Sequence, residues 1–345
     1  MTGAPMHAAD RRRSVKALLD GADQSMRRGA RPGAEVWPTG VDLLDRALGG
    51  GMRAGELILL GGSEASGKTT LAMQLLRNVV AAGRCGVVFS FEHESQTLIE
   101  RLLGLEAAAA AERAEVSISD AGRVRDFRDV FEAPEPDREG LRSGLSGVAF
   151  GGAALAATQI YADRLHIHAS NHETTPHEIA RTVAELTQQC GSVPVVLVDY
   201  LQKVPLAGHT GDESSRVTIV AESLKDLALE LDCAVIAIAA ADRESLVAGR
   251  RMRTHDLRGS SALAYEADIV LILSNKEAIV SREHLVYDLG STDRFSKWSI
   301  ITVEKNRNGQ GRDELQLEKD FEHGRFRPVA WPVEERLIEE RVFTT

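Results

Sequence analysis

The run Gly62-Ser63-Glu64-Ala65-Ser66-Gly67-Lys68-Thr69 constrains this chain more than any other feature. Two glycines bracketing four residues, then Lys and Thr, form a turn whose backbone N–H groups face inward around a polyphosphate. Gly62 and Gly67 allow the close backbone approach. Lys68 can reach the terminal phosphates, and the Thr69 hydroxyl can ligate Mg²⁺. Such a loop works only between a strand and a helix. Glu56-Leu57-Ile58-Leu59-Leu60 reads as a buried strand, and Thr70-Leu71-Ala72-Met73-Gln74-Leu75-Leu76 as an amphipathic helix. The phosphates would then lie at a helix N-terminus. Gly62, Ser63, Glu64, Ala65, Ser66, Gly67, Lys68, Thr69 and Thr70 are therefore expected to hold a nucleoside triphosphate.

Composition narrows the remaining possibilities. The 345 residues are 43% hydrophobic, enough for a real core, and carry a net charge of −10. That charge argues against a basic footprint over the whole surface, though not against a local basic lining. Cys85, Cys190 and Cys233 lie far apart with no C-x-x-C spacing. Neither a zinc site nor a disulfide framework is expected, and a reducing cytosol is the natural compartment. No apolar stretch approaches the ~18 residues of a membrane span. Arg11-Arg12-Arg13 is followed by no apolar run, so no secretory signal is expected and the chain is read as cytoplasmic.

Residues 1–35 form a basic N-terminal arm in which Val15, Leu18, Leu19, Ala22 and Met26 recur at helical spacing. This stripe suits either a docked or frayed terminal helix or a linker helix gripping a neighbouring subunit. From 36 to 330, strand-like runs at 56–60, 86–91, 164–168, 194–199, 233–240, 268–273, 298–304 and 313–318 alternate with helical patterns near 41–48, 68–82, 95–111, 175–190 and 216–231. The fold class is α/β, a mostly parallel twisted sheet with helices on both faces. The Asn308-Gly309 signal between the last two runs predicts a C-terminal antiparallel hairpin. Residues 106–163 read as a small helical insertion with mobile connections, and 331–345 as a C-terminal tail.

Val195-Val196-Leu197-Val198-Asp199 is an apolar strand ending in Asp, which places a carboxylate at the ligand-binding edge of an open α/β sheet. Asp199 therefore suits a Mg²⁺ carboxylate, alongside Thr69. Glu92 ends the neighbouring strand on the same edge and is placed to polarise an attacking water. Glu94 competes for that role, but it precedes a helix, where a carboxylate also favours the helix dipole. Glu92 is preferred.

These residues carry a resemblance. Pro38-Thr39-Gly40, Leu43-Leu44-Asp45, Gly55-Glu56-Leu57, the phosphate loop, Phe89-Ser90-Phe91-Glu92 and Val198-Asp199-Tyr200-Leu201-Gln202 occur in order. Ser223-Leu224-Lys225-Asp226-Leu227-Ala228, Asp256-Leu257-Arg258, Ala267-Asp268-Ile269-Val270 and Lys305-Asn306-Arg307-Asn308-Gly309 continue the series. Over about 36–328 the chain resembles the motor domain of DnaB-type replicative helicases. The resemblance implies a RecA-like P-loop NTPase fold, ATP and Mg²⁺ as cofactors, and a homo-oligomeric, hexameric ring around single-stranded DNA. It makes Glu92 the catalytic glutamate and Asp199 the Mg²⁺ aspartate. Lys305 and Arg307 match residues that reach a neighbour's γ-phosphate, where a hairpin-borne guanidinium and ammonium stabilise transition-state charge in trans. A loader or a primase is the protein partner implied.

Two departures stand out. The family's Ser-Gln-Leu-Asn-Arg is Ala239-Ala240-Ala241-Asp242-Arg243 here, so Ala240 replaces a glutamine that senses the γ-phosphate. An alanine side chain can neither donate nor accept a hydrogen bond. The family's N-terminal collar domain is also missing. The loops that would line a channel are about 203–216 and 243–258; the second carries Arg243, Arg250, Arg251 and Arg253 and could track phosphates without reading bases. A solvated surface loop is the alternative. Two readings stay open: a helicase or translocase, and a RecA-like ATPase assembly that uses ATP to switch oligomeric or partner-binding state.

Overall fold

The computed structural model describes residues 14–29, 34–208, 211–241, 251–281, 291–309, 311 and 313–338. The segment before Trp37 is a unit of its own, and its helix α1 (Val15–Arg27) is N-capped by Ser14, whose hydroxyl accepts from Ala17 N at 3.1 Å. Val15, Leu18, Leu19 and Met26 are exposed along it.

Trp37 onward forms the second unit. Short elements β1 (Val36–Trp37), α2 (Asp42–Ala47) and β2 (Met52–Arg53) precede β3 (Leu57–Gly62), which runs through the phosphate loop into α3 (Lys68–Ala81). Next come β4 (Gly86–Ser90) and α4 (Ser95–Arg113), then α5 (Val124–Phe131), α6 (Leu141–Ser146) and α7 (Gly151–Tyr161). The chain returns through β5 (Leu165–Ala169), α8 (Pro176–Cys190), β6 (Val195–Asp199), α9 (Glu213–Leu231) and β7 (Val235–Ala240). It finishes with α10 (Ser260–Glu266), β8 (Ile269–Asn275), β9 (Trp298–Asn306), β10 (Glu314–Asp320) and β11 (Arg325–Pro332).

Among the described residues, nine strands make one sheet in the order β11-β10-β9-β8-β3-β7-β6-β4-β5. The six strands from β8 to β5 are parallel, and β9, β10 and β11 add on antiparallel. Alternation along the parallel strands fills two cores. Ile58, Leu60, Val88, Leu197 and Ile236 face one side, while Leu57, Leu59, Val87, Phe89, Val196 and Val198 face the other. Burial of both faces explains why these strands read as continuous apolar runs. The expected hairpin forms between β9 and β10, with Glu314 opposite Thr302.

The 106–163 stretch is largely helical and, with Leu103 of α4, holds a small core of Ala107, Ala111, Phe127, Leu145 and Ala154. Glu106 is fully buried and accepts Arg77 Nε and Nη2 at 2.6 Å each and Tyr161 Oη at 2.8 Å. A buried carboxylate needs such partners, and here they pin α4 to α3 and α7.

Three expectations need correction. The sequence predicts no strand at β11, because Pro328 and Pro332 interrupt its run, yet an edge strand tolerates proline. It extends to Pro332, and Ile338 N donates to Ile279 O at 2.9 Å, so the segment expected as a tail from 331 begins inside the sheet. Cys85 and Cys190, 105 residues apart, are joined as a disulfide with a Cα–Cα distance of 6.4 Å. Their meeting follows from the pairing of β4 with β6, which cysteine spacing cannot reveal.

Candidate nucleotide site

β3 delivers the phosphate loop to the carboxyl edge of the sheet, beside the ends of β4, β6 and β7. Two glycines are required by contact. A Cβ on Gly62 would meet Leu273 O at 2.5 Å, and one on Gly67, at φ +96°, would meet Phe321 and Phe326 rings at under 3 Å. Lys68 Nζ donates to Gly62 O at 3.0 Å and to Ser63 O at 2.7 Å, which holds the ammonium across the loop. Burial draws the Lys68 pKa down, against the opposing charges of Asp199, Glu92 and Glu64.

Thr69 Oγ1 donates to Asp199 Oδ2 at 2.8 Å, joining the two residues expected at the metal. Burial raises the Asp199 carboxyl to about 6; the Thr69 hydrogen bond opposes this, and the Glu92 charge adds to it. Asp199 Oδ1 is buried without a hydrogen-bond partner among the described residues. An orphaned carboxylate oxygen beside a hydroxyl, with Glu92 and Asp199 ligand atoms within 4.8 Å of each other, fits a hard cation that prefers oxygen. His93 belongs to the same cluster.

These groups line a cleft of about 740 Å³, within the range of small-molecule sites. Glu92 lines it, whereas Glu94 is the N-cap residue of α4 and does not. Arg101 and Arg128 also line it, and sequence reasoning missed both. Arg101 projects from α4, and Asp199 and Glu92 are the opposite charges that act on it most strongly. Arg128 Nε donates to the buried Glu100 at 2.9 Å. A lone cation between apolar residues, Leu98 and Leu102, was the available signal for Arg101.

Ala240 lines the cleft at the end of β7. Its backbone is engaged even though its side chain is not: Ala240 N donates to Gln202 Oε1 at 3.0 Å. Gln202 Nε2 in turn donates to Arg258 O at 3.2 Å. Gln202 thereby knits the turn after β6 to the turn after β7.

Lys305 and Arg307 do not line the chain's own cleft. Asn306 pairs with Ile269 and Gly62 with Leu273, four residues further along β8, or roughly 13 Å. Lys305 Nζ donates to Ala264 O at 2.7 Å and Ala267 O at 2.6 Å, at the end of α10. Arg307 Nη1 donates to Asp268 Oδ1 at 3.1 Å. Both cations sit at the opposite edge of the sheet from the phosphate loop.

Of the expected nucleic-acid arginines, Arg243 and Arg250 lie outside the described residues. Arg251 is buried, donates to Thr302 Oγ1 at 2.7 Å and pairs with Glu314. That corrects the expectation for Arg251: its guanidinium is spent on the β9–β10 hairpin. Arg253 pairs with Glu304 and remains partly exposed.

Comparison with known proteins accords with this geometry. The family described as DnaB-like helicase C terminal domain matches residues 37–327. Replicative DNA helicase DnaB of Pasteurella multocida is 25% identical over 287 residues, covering 82% of this chain and 54% of that protein. The Rhodothermus marinus protein of the same name is 30% identical over 285 residues, covering 78% of this chain and 26% of the relative. The chain thus spans about half the length or less of these relatives. Among solved structures, the ATPase domain of G40P superposes with a TM-score of 0.67 at 21% identity, covering 91% of this chain and 98% of that one. A KaiC-like protein of Pyrococcus horikoshii gives 0.50 at 14%, covering 87% and 100%. The fold is RecA-like, and the chain belongs to the family of DnaB-like helicase C-terminal domains.

Proposed function

We propose that this chain is the motor of an ATP-dependent DNA helicase or translocase of the DnaB type, hydrolysing ATP between the subunits of a hexameric ring around single-stranded DNA. One observation carries the reading: the chain holds a complete phosphate cradle at one sheet edge and its Lys305/Arg307 pair at the other. Subunits set edge to edge would bring that pair to a neighbour's cleft.

In this reading Gly62 to Thr70 grip the triphosphate through backbone N–H groups, and Lys68 swings from its carbonyl partners to the β- and γ-phosphates. Thr69 and Asp199 would hold Mg²⁺, which would supply neutralisation of the developing phosphate charge. Glu92 takes a proton from the attacking water, and the neighbour's Arg307 and Lys305 stabilise the transition state. Arg101 adds a cis cation over the two carboxylates. Arg243, Arg250 and Arg253 contact the DNA backbone. A loader or primase is the protein partner in this reading. The compartment is the cytoplasm.

Strand displacement on a forked duplex, with ATPase measured with and without single-stranded DNA, tests the proposal. Unwinding and DNA-stimulated hydrolysis support it. DNA-independent ATPase without unwinding by an intact ring favours the second reading, an ATPase assembly that switches partners, to which Ala240 points.

A further inference from the structure

Cys85 is the buried residue before β4, and Cys190 is the half-buried last residue of α8. His166, on β5, places Nε2 3.6 Å from Cys190 Sγ. The three side-chain ligand atoms lie within 4.8 Å of one another. The cluster is remote from the nucleotide cleft. Gly86 pairs with Val195 and Leu165 at the roots of the strands, whereas Ser90 pairs with Asp199 at their carboxyl ends. The bond closes a ring around α4 to α8, and so around Glu92 and the whole helical segment.

We propose that Cys85 and Cys190 form a reversible thiol–disulfide site, with Cys190 the reactive sulfur, His166 its proton acceptor and a glutathione-class disulfide the co-reactant. Exposure decides which sulfur reacts: Cys190 is within reach of solvent and Cys85 is not. His166 Nε2 lies within reach of the Cys190 thiol proton, and burial, with Asp163 opposing, lowers its pKa and so favours the neutral imidazole that can accept a proton. Oxidation then balances in two exchanges. The Cys190 thiolate attacks one sulfur of the small disulfide, whose S–S bond breaks and releases one thiolate. Cys85 attacks Cys190 Sγ in the mixed disulfide, the protein S–S bond forms, and the second small thiolate leaves. The two protons lost by the cysteines end on the two small thiols. Disulfides that occur in reducing compartments are redox-responsive more often than permanent.

The test uses the intact chain equilibrated with mixtures of reduced and oxidised glutathione, then trapped with a high-mass maleimide and read by gel shift and mass. Cys233 is buried, with its thiol pushed up to about 12 by that burial, so it stays unlabelled in the folded protein. The expected result is that Cys190, the sulfur within reach of solvent, gains and loses label reversibly, with label changing about tenfold between reducing and oxidising mixtures. Cys85→Ser should leave Cys190 carrying glutathione, and His166→Gln should slow the exchange about tenfold without moving its end point. The wild-type titration alone is decisive if a variant fails to fold. Equal labelling in every mixture, or a bond that never opens in excess reduced glutathione, would overturn the proposal. So would a Cys85→Ser chain that acquires no mixed disulfide.

Discussion

Gln202 and Ala240 are joined through the backbone of the residue that lacks a sensor side chain. Ala240 N donates to Gln202 Oε1 at 3.0 Å, and Gln202 Nε2 donates to Arg258 O at 3.2 Å. The cleft wall at Ala240 is therefore tied to the turn carrying Arg258, which pairs with Glu213 at the start of α9. A side-chain amide from the turn after β6 thus links the cleft wall to the turn carrying Arg258, a link that the Ala240 side chain itself cannot make.

Gln202→Ala should separate the two activities. Basal ATPase should stay within about threefold, stimulation by single-stranded DNA should vanish, and stability should fall by about 1–3 kcal/mol as the Ala240 N–H is left unpaired. Steady-state ATPase with and without DNA, alongside urea unfolding, reads both. Undiminished stimulation would show that coupling bypasses Gln202.

Glu92→Gln should keep nucleotide binding while slowing hydrolysis by about 10²–10⁴-fold, the range of general base catalysis. Glu94→Gln should change turnover little, because Glu94 stands outside the cleft lining. Parallel single-turnover measurements distinguish the two, and the opposite ranking would move the base to Glu94.

Asp320 anchors the turn that carries Phe321 beside Gly67. It receives Arg325 Nε at 2.9 Å and faces His323 Nδ1 at 2.6 Å. Burial alone would raise its carboxyl, but the His323 and Arg325 hydrogen bonds and charges outweigh burial and hold it below its ordinary value. A carboxyl depressed on folding contributes stability above its unfolded pKa, and that contribution is lost as pH falls through the folded value. Asp320→Asn should thus be destabilised by about 1–3 kcal/mol above roughly pH 4.5, with the gap to wild type closing at lower pH. Chemical denaturation between pH 3 and 7 checks this; a gap that widens on acidification would refute the assignment.

The cradle, Glu92 and Asp199 were legible because each is a short local pattern: a strand, then a turn with one demanded chemistry. The hairpin was legible for the same reason. Arg101 was not, since it reaches the cleft by the packing of α4 over the sheet edge. Arg251 looked like a free surface charge until the fold supplied Glu314, 63 residues away, as its partner. The pairing of Cys85 with Cys190 is hidden for the same reason, because long-range pairing is a property of topology. β11 hid behind its prolines.

In the proposed ring, one chain's cradle is completed by another chain's Arg307. Mixing Lys68→Ala chains with Arg307→Ala chains tests it most directly. Each variant alone should be nearly inactive, and the mixture should regain a measurable fraction of wild-type ATPase through interfaces that pair an intact cradle with an intact Arg307. A mixture no more active than its parts, or full activity from a wild-type monomer, would contradict the shared site.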